Sequence, residues 1–191
     1  MFSSLKGKYG YLKKQPLRTG LLTLFMIACC AAVFLFGYIT RGSERNIFTI
    51  IAVLGILPSA KMIVSFIMYL KNEKYAVSKD IYEKVEEYIK GKDVCYGYDF
   101  YLTSYKQNFC INTCFIFDGS LVCLSEDKKS NAKDIKEHIE KYMNQNSIDG
   151  YKIYILDNKE KYYDRIKSVD VGYKKSESDE KLYALMKNLA L

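Results

Sequence analysis

The stretch Ile47–Leu70, IFTIIAVLGILPSAKMIVSFIMYL, decides how the chain is organised. It runs for 24 residues with one formal charge, Lys61, and one helix breaker, Pro58. Because an α-helix rises about 1.5 Å per residue, about 20 apolar residues are enough to cross a hydrocarbon core ~30 Å thick. The sequence therefore predicts a membrane-spanning helix over residues 47–70.

A second apolar segment precedes it and carries no charge: GLLTLFMIACCAAVFLFGYIT, residues 20–40. Only RGSERN, residues 41–46, separates the two segments, which predicts a transmembrane helical hairpin over residues 20–70. The small residues of the two spans are expected to let the backbones approach closely. These residues are Ala28, Cys29, Ala31 and Ala32 in the first span, and Gly55, Ser59 and Ala60 in the second.

Charge is distributed very unevenly along the chain. Residues 1–74 hold ten Lys/Arg against two Glu, a net +8, whereas residues 75–191 hold 19 basic and 20 acidic residues, a net −1. Five positive charges precede the first span, and the loop between the spans nets only +1. By the positive-inside bias we expect a two-span plasma-membrane protein with both termini cytoplasmic. A nearly neutral domain lacks the basic surface that neutralises phosphates, so nucleic acid is not an expected partner.

Residues 1–19 form a basic cytoplasmic N-terminal segment with two readings that the sequence leaves open. Its apolar residues recur at helical spacing, which suits a short helix on the anionic inner surface of the membrane. A disordered basic tail fits equally well. Pro16 stands where a new helix could begin, because the first turn needs no backbone donor. A cleaved signal peptide is disfavoured, since the first apolar run is too long and no small-x-small site follows it.

Residues 75–191 predict one cytoplasmic α+β domain. Ser78 is a good N-cap for a helix that Gly91 would stop, and Asp118-Gly119 is a strong hairpin signal. The element order is α-β-β-β-α-β-α-α, with a mixed, mainly antiparallel sheet. The strands are predicted over residues 94–103, 109–117, 121–125 and 151–156, and the later helices over residues 131–144, 158–169 and from about 178.

Lys61 is the most unusual residue of the hairpin. It lies nine residues from the cytoplasmic end of its span, about 13 Å at helical rise, and neither span contains an acidic residue. Pro58 cannot donate its helical hydrogen bond, which frees the carbonyl group of Leu54 as one acceptor. Lys61 therefore either caps this kink or reaches a headgroup, or it contacts another subunit, a partner protein or a permeant ligand.

Few other side chains predict chemistry. The cysteines after residue 74 are expected to be reduced core thiols, and the single histidine, His138, is expected at the surface. We identify no catalytic, cofactor-binding or metal-binding set, and we lean against an enzyme.

One motif nevertheless resembles an enzyme family. Glu126-Asp127-Lys128 is a literal E-x-K at the end of the third strand, and the order α-β-β-β-α-β is similar to the core of the PD-(D/E)xK restriction-endonuclease-like superfamily. The resemblance implies a Mg²⁺ site that also needs an acidic residue at the start of the second strand. The positions expected opposite Glu126 are Ile111 and Asn112, so that site is incomplete. A surface charge cluster explains the motif better.

The chain as a whole resembles small uncharacterised two-span membrane proteins of low-GC Gram-positive bacteria. The resemblance rests on the basic start, LGILPSAK in the second span, LTSY at residues 102–105 and the IFDG hairpin. It implies no activity. We expect a membrane-anchored binding or scaffold domain whose partners are the lipid bilayer and either a protein or, through the hairpin, a second copy. The alternatives are a membrane-tethered enzyme with a divergent nuclease-like fold and a small oligomeric transport or channel accessory subunit.

Overall fold

The computed structural model describes residues 6–104, 107–127 and 130–191 and divides them into two compact units. The first, called the hairpin unit, comprises Leu12–Lys74. The second, called the domain, comprises Tyr75–Leu191 together with the residues up to Tyr11.

Two long helices make up almost all of the hairpin unit. Helix α1 spans Tyr11–Arg41 and helix α2 spans Ile47–Asn72, followed by a 3-10 turn at Glu73–Tyr75. Both helices are long and apolar enough to cross a membrane, as predicted. Helix α1 begins before Pro16, so the proline lies inside the helix and does not start it. A proline one turn into a helix removes only one of many backbone hydrogen bonds.

Glycines of the hairpin unit lie where the two helices approach each other closely. A Cβ atom on Gly55 would come within 2.9 Å of the Sγ atom of Cys30, and one on Gly20 within 2.9 Å of the ring of Phe66. At such distances a side chain larger than that of glycine would force the neighbouring side chain to shift. The approach expected at Gly55 is thus made, with Cys30 as its neighbour on α1.

The domain confirms the predicted order α-β-β-β-α-β-α-α. Its strands are β1 (Cys95–Leu102), β2 (Phe109–Phe117), β3 (Ser120–Leu124) and β4 (Lys152–Leu156). Its helices are α3 (Lys79–Ile89), α4 (Ala132–Gln145), α5 (Lys159–Lys167) and α6 (Glu177–Leu189). The strands lie in the order β1-β2-β3-β4, with two antiparallel pairs followed by the parallel pair β3–β4. The sheet is therefore mixed and mainly antiparallel.

Helices cover both faces of the sheet. Helices α4 and α6 pack on one face, and α3 and α5 pack on the other. Each helix buries a stripe spaced three or four residues apart, as its sequence predicts. The buried stripes include Ile81, Val85 and Ile89 of α3, Ile135, Ile139 and Met143 of α4, Tyr162 and Ile166 of α5, and Leu182, Leu185 and Met186 of α6.

Local sequence signals explain where the elements begin and turn. Ser78 caps α3 by accepting a hydrogen bond from the backbone N–H of Ile81. Ser176 caps α6 in a capping box with Asp179. Asp118 and Gly119 both have positive φ, +43° and +62°, which is the backbone that a two-residue hairpin turn requires.

The outer edge of β1 is covered by chain segments distant in sequence. The carbonyl group of Gly7 accepts a 2.9 Å hydrogen bond from the N–H of Tyr98, and the N–H of Leu191 donates to the carbonyl of Tyr101 at 2.8 Å. A Cβ atom on Gly97 would come within 2.9 Å of the Gly7 oxygen. Residues 6–11 thus belong to the domain. The predicted division into a segment over residues 1–19, a membrane hairpin over residues 20–70 and a domain from residue 75 stays a prediction.

Candidate functional site

The E-x-K motif follows β3, and its neighbour on β2 is an amide. The pairing of Thr113 with Leu124, continued by one residue, places Asn112 beside Ser125. The Oδ1 atom of Asn112 accepts a 2.8 Å hydrogen bond from the backbone N–H of Glu126. A nuclease of the PD-(D/E)xK type would need a carboxylate at this position. Asn112 stands there instead, and its side chain makes a structural hydrogen bond with Glu126. Lys128 lies outside the described residues.

Glu126 also lines a polar cleft at the carboxyl ends of the parallel strands β3 and β4. The cleft has a volume of about 590 Å³, and Asp127 and Asp157 line it too. Such a crevice is a common place for ligands in sheets with parallel strands. Among the residues that the structure describes, however, no group of three or more His, Cys, Asp or Glu side chains could hold a metal ion.

Asp99, a buried polar residue of β1, has a structural partner and an unusual backbone conformation. Asp99 has a positive φ of +58°, and its Oδ1 atom accepts a 2.7 Å hydrogen bond from the N–H of Val77. Tyr98 packs in the core beside α3 and α5, whereas Phe100 packs in the core beside α4 and α6. Residues two apart in a regular strand lie on the same face of the sheet. Tyr98 and Phe100 lie on opposite faces, because the backbone of Asp99 between them has a positive φ.

The thiols behave as core residues, whereas the histidine differs from its prediction. Cys95, Cys110, Cys114 and Cys123 are free and buried, as expected. Burial, with smaller contributions from nearby acidic side chains, raises the pKa of Cys110 well above its ordinary value, so it is not a reactive thiolate. His138 is half-buried against the rings of Phe109 and Tyr142, because its helix position borders the apolar stripe of α4.

Lys61 and Pro58 are both exposed on α2, which runs unbroken through the proline. The carbonyl group of Lys61 accepts a 3.1 Å hydrogen bond from the Oγ atom of Ser65. Within the described part of the chain, no ion pair involves the Lys61 ammonium group. The choice between a kink cap and a contact with another chain stays a prediction.

A further site, which the sequence does not single out, combines aromatic rings with one carboxylate. Tyr9, Tyr82, Tyr96, Tyr98 and Glu86 line one cleft of about 410 Å³, here called the tyrosine cleft. The rings of Tyr9 and Tyr82 stack with centroids 4.0 Å apart, and Tyr98 meets both edge-on at 6.3 and 5.3 Å. Tyr96 stands edge-on to Tyr98 at 6.0 Å. The four rings therefore form one continuous aromatic surface.

Glu86 ties this aromatic surface together. Its Oε1 atom accepts a 2.9 Å hydrogen bond from the hydroxyl of Tyr98, and its Oε2 atom lies 3.5 Å from the hydroxyl of Tyr96. Burial, followed by the Glu86 carboxylate, raises the pKa of both tyrosines, so they stay protonated donors. Tyr82 and Glu86 are four residues apart on α3, and Tyr96 and Tyr98 are two apart on β1. These spacings are the only sequence signal for the cleft, because Tyr9 is distant in sequence from the other tyrosines.

Asp179 forms a second polar cluster, whose role is structural. It accepts hydrogen bonds from the hydroxyls of Tyr151 at 2.8 Å and Tyr173 at 2.7 Å, and from the backbone N–H of Ser176 at 2.7 Å. The aspartate is 1% exposed, so its carboxylate is saturated by protein donors. It anchors the start of α6 to the segments before it.

No protein-family model matches the chain, and neither a curated protein nor a solved structure is significantly similar to it. The residues and their geometry therefore carry the functional inference.

Proposed function

We propose that the protein is a two-span plasma-membrane protein whose α+β domain faces the cytoplasm and binds a ligand or partner at the tyrosine cleft. The observation that carries the proposal is the cleft itself, because solvent-accessible tyrosines that surround a carboxylate are typical of binding surfaces. Tyr9, Tyr82 and Tyr96 are only half-buried, so a ligand can reach their rings.

Chain connectivity supports an even number of membrane crossings. Residues up to Tyr11 and residues from Tyr75 belong to the same compact unit, although the two long apolar helices separate them in sequence. Two segments that pack together must lie on the same side of a bilayer. The five positive charges before the first span favour the cytoplasmic side.

The orientation is tested by cysteine labelling with a membrane-impermeant maleimide on intact cells. Ser43 in the loop between the helices and Ser178 in α6 are both exposed, so Ser43→Cys and Ser178→Cys form a matched pair. The unmodified chain gives the background from the native cysteines. Ser43→Cys should be labelled from outside and Ser178→Cys only after lysis. The reverse pattern would refute the topology.

The binding role is tested by purifying the full chain from its native membrane. Tyr82→Ala removes a ring of the tyrosine cleft, whereas Tyr88→Ala removes a half-buried ring on the same helix that packs against Tyr163 instead. We expect Tyr82→Ala to lose a co-purifying molecule that Tyr88→Ala retains. Retention by both variants would place the binding surface elsewhere.

A membrane-tethered enzyme with a divergent nuclease-like fold is the second candidate. The polar cleft beside Glu126, with its three carboxylates, is the observation in its favour. Asn112 in place of an acid, and the absence of a metal-holding group among the described residues, count against it.

A further inference from the structure

We infer that the tyrosine cleft is a site for an organic cation, specifically for a quaternary ammonium group. This inference rests on the proposed binding function and adds the chemical class of the ligand. The relevant surface lies entirely within the domain, since residues up to Tyr11 belong to that unit.

The aromatic lining supplies the attraction for a cation. The face of a tyrosine ring carries partial negative charge, and a cation within about 6 Å of the ring centroid is attracted to it. In the tyrosine cleft, Tyr98 stands roughly perpendicular to Tyr9 and Tyr96, with interplanar angles of 81° and 86°. Tyr98 is 3% exposed and packs beneath the other rings, so the half-buried rings of Tyr9, Tyr82 and Tyr96 supply the aromatic surfaces that a ligand can reach.

The carboxylate of Glu86 adds a full negative charge to the attraction of the rings for a cation. In the part of the chain that the structure describes, no ion pair involves Glu86, whereas Glu83 pairs with Lys79. Glu86 therefore places beside the rings a negative charge that no ion pair of the described residues holds. Among the described residues that line the cleft, Lys8 is the one cation, and its exposed side chain can turn to solvent.

The hydrogen bonds of the cleft favour a quaternary over a primary ammonium. Both oxygens of Glu86 already face tyrosine hydroxyls, and the carbonyl group of Gly7 already accepts from the N–H of Tyr98. A primary ammonium has three donors that need acceptors when it leaves water. A quaternary ammonium has no donor, and aromatic cages with a nearby acid suit it.

The binding test uses the full chain in maltoside micelles, which contain no choline group. Tetramethylammonium chloride is titrated and its methyl signal is followed by saturation-transfer NMR. Neopentyl alcohol, a neutral molecule of similar shape, reports apolar binding alone. We expect saturable binding of tetramethylammonium that neopentyl alcohol does not reproduce. Equal binding of the two probes, or no saturable binding, would overturn the inference.

Variants assign the binding to the cleft. Tyr82→Ala should weaken tetramethylammonium binding by about tenfold, whereas Tyr88→Ala should leave it unchanged. Glu86→Gln keeps the shape of the side chain but removes its charge, and should weaken binding by about fivefold even if Tyr82→Ala fails to fold. Lys8→Ala should strengthen binding, because it removes a like charge. An equal loss in Tyr82→Ala and Tyr88→Ala would contradict the site.

Two further measurements identify the source of the cation and show whether a negative result contradicts only the cation inference or also the proposed binding function. Choline represents a free solute and phosphocholine a lipid headgroup, so their relative affinities identify the source. If a co-purifying partner depends on Tyr82 but tetramethylammonium neither binds nor displaces it, the binding function stands and the cation inference is wrong. If neither is observed, both are wrong.

Discussion

Glu126 and Lys159 form an ion pair, with 2.9 Å between Oε1 of the glutamate and Nζ of the lysine. The pair joins the loop after β3 to the first residue of α5, which lies next to β4 in the chain. A glutamate held in this way has a partner other than a metal ion. The E-x-K motif is thereby connected to the packing of the domain.

We predict that Glu126→Ala and Lys128→Ala leave any activity of the domain unchanged. Lys159→Ala should behave in the same way, because the side chains of the ion pair are 36% and 39% exposed, and pairs of this kind contribute about 0–1 kcal/mol to stability. Urea unfolding measures the stability, and a Mg²⁺-dependent cleavage assay on DNA measures the activity. Cleavage by the unmodified chain that disappears in Glu126→Ala would favour the nuclease-like enzyme.

The Asp179 cluster predicts a pH-dependent stability. Burial raises the pKa of Asp179, but hydrogen bonds from Ser176, Tyr173 and Tyr151 outweigh burial and hold the pKa below its ordinary value. A carboxylate whose pKa is lowered on folding stabilises the folded state above its unfolded pKa, near 4. This stabilisation is lost as the pH falls through the folded pKa.

We expect Asp179→Asn to lower the free energy of unfolding at pH 7 by about 1–3 kcal/mol, since buried donors lose their charged acceptor. The difference from the unmodified chain should shrink as the pH falls below about 4. Denaturant unfolding at a series of pH values measures both effects. Glu177→Gln, an exposed change in the same helical turn, is the control. A difference that is constant from pH 7 to pH 3 would contradict the role of the charge.

Because residues 6–11 pack on the domain, we expect a fragment that lacks them to be less stable. The fragment 75–191 has enough amphipathic elements to fold, but it lacks the Gly7 carbonyl that pairs with Tyr98 and the hydroxyl of Tyr11 that donates to Leu191 at 3.0 Å. We expect it to fold with about 1–3 kcal/mol less stability than a chain in which a Gly/Ser linker replaces the hairpin unit and residues 1–11 are kept. Circular dichroism during thermal unfolding compares them. Equal midpoints would show that residues 6–11 add no stability.

Lys61→Met separates the hypotheses for the hairpin. If the lysine only caps the kink at Pro58, the change removes a charge from the proposed membrane interior, and membrane insertion should be equal or better by up to ~3 kcal/mol. If it pairs with a carboxylate of another chain, the change leaves that acid buried and costs about 3–5 kcal/mol. We expect the first result. Native-size analysis in mild detergent tests it, and a complex that dissociates only in Lys61→Met would show the second.

The sequence predicts the elements of the domain well because their signals are local. Ser78, the stripe from Ile81 to Ile89 and the turn at Asp118-Gly119 each act within a few residues. The sheet directions follow from the short hairpin between β2 and β3 and from the helix between β3 and β4. These features need no knowledge of distant contacts.

The features that the sequence does not predict depend on contacts between distant residues. Local sequence patterns cannot predict the hydrogen bond between Gly7 and β1 or the stacking of Tyr9 on Tyr82, because about 70 to 90 residues separate the partners. The positive φ of Asp99 is equally hidden, since the residue lies inside an otherwise regular strand pattern. The tyrosine cleft depends on all three elements, α3, β1 and the segment before α1, so it emerges only in the folded domain.

The pairing of Gly7 with Tyr98 constrains how the protein is made. The ribosome releases Gly7 first, then both apolar helices, and only about 90 residues later the strand that Gly7 completes. At about 5–20 residues per second, the early segment waits roughly 5 to 20 s for its partner. If the two apolar helices cross a membrane as proposed, the hairpin must bring the growing chain back during that interval to the side where the N-terminal segment lies. In the proposed topology, failure of one helix to insert would leave the two parts of the domain on opposite sides of the membrane, and the domain would then not fold.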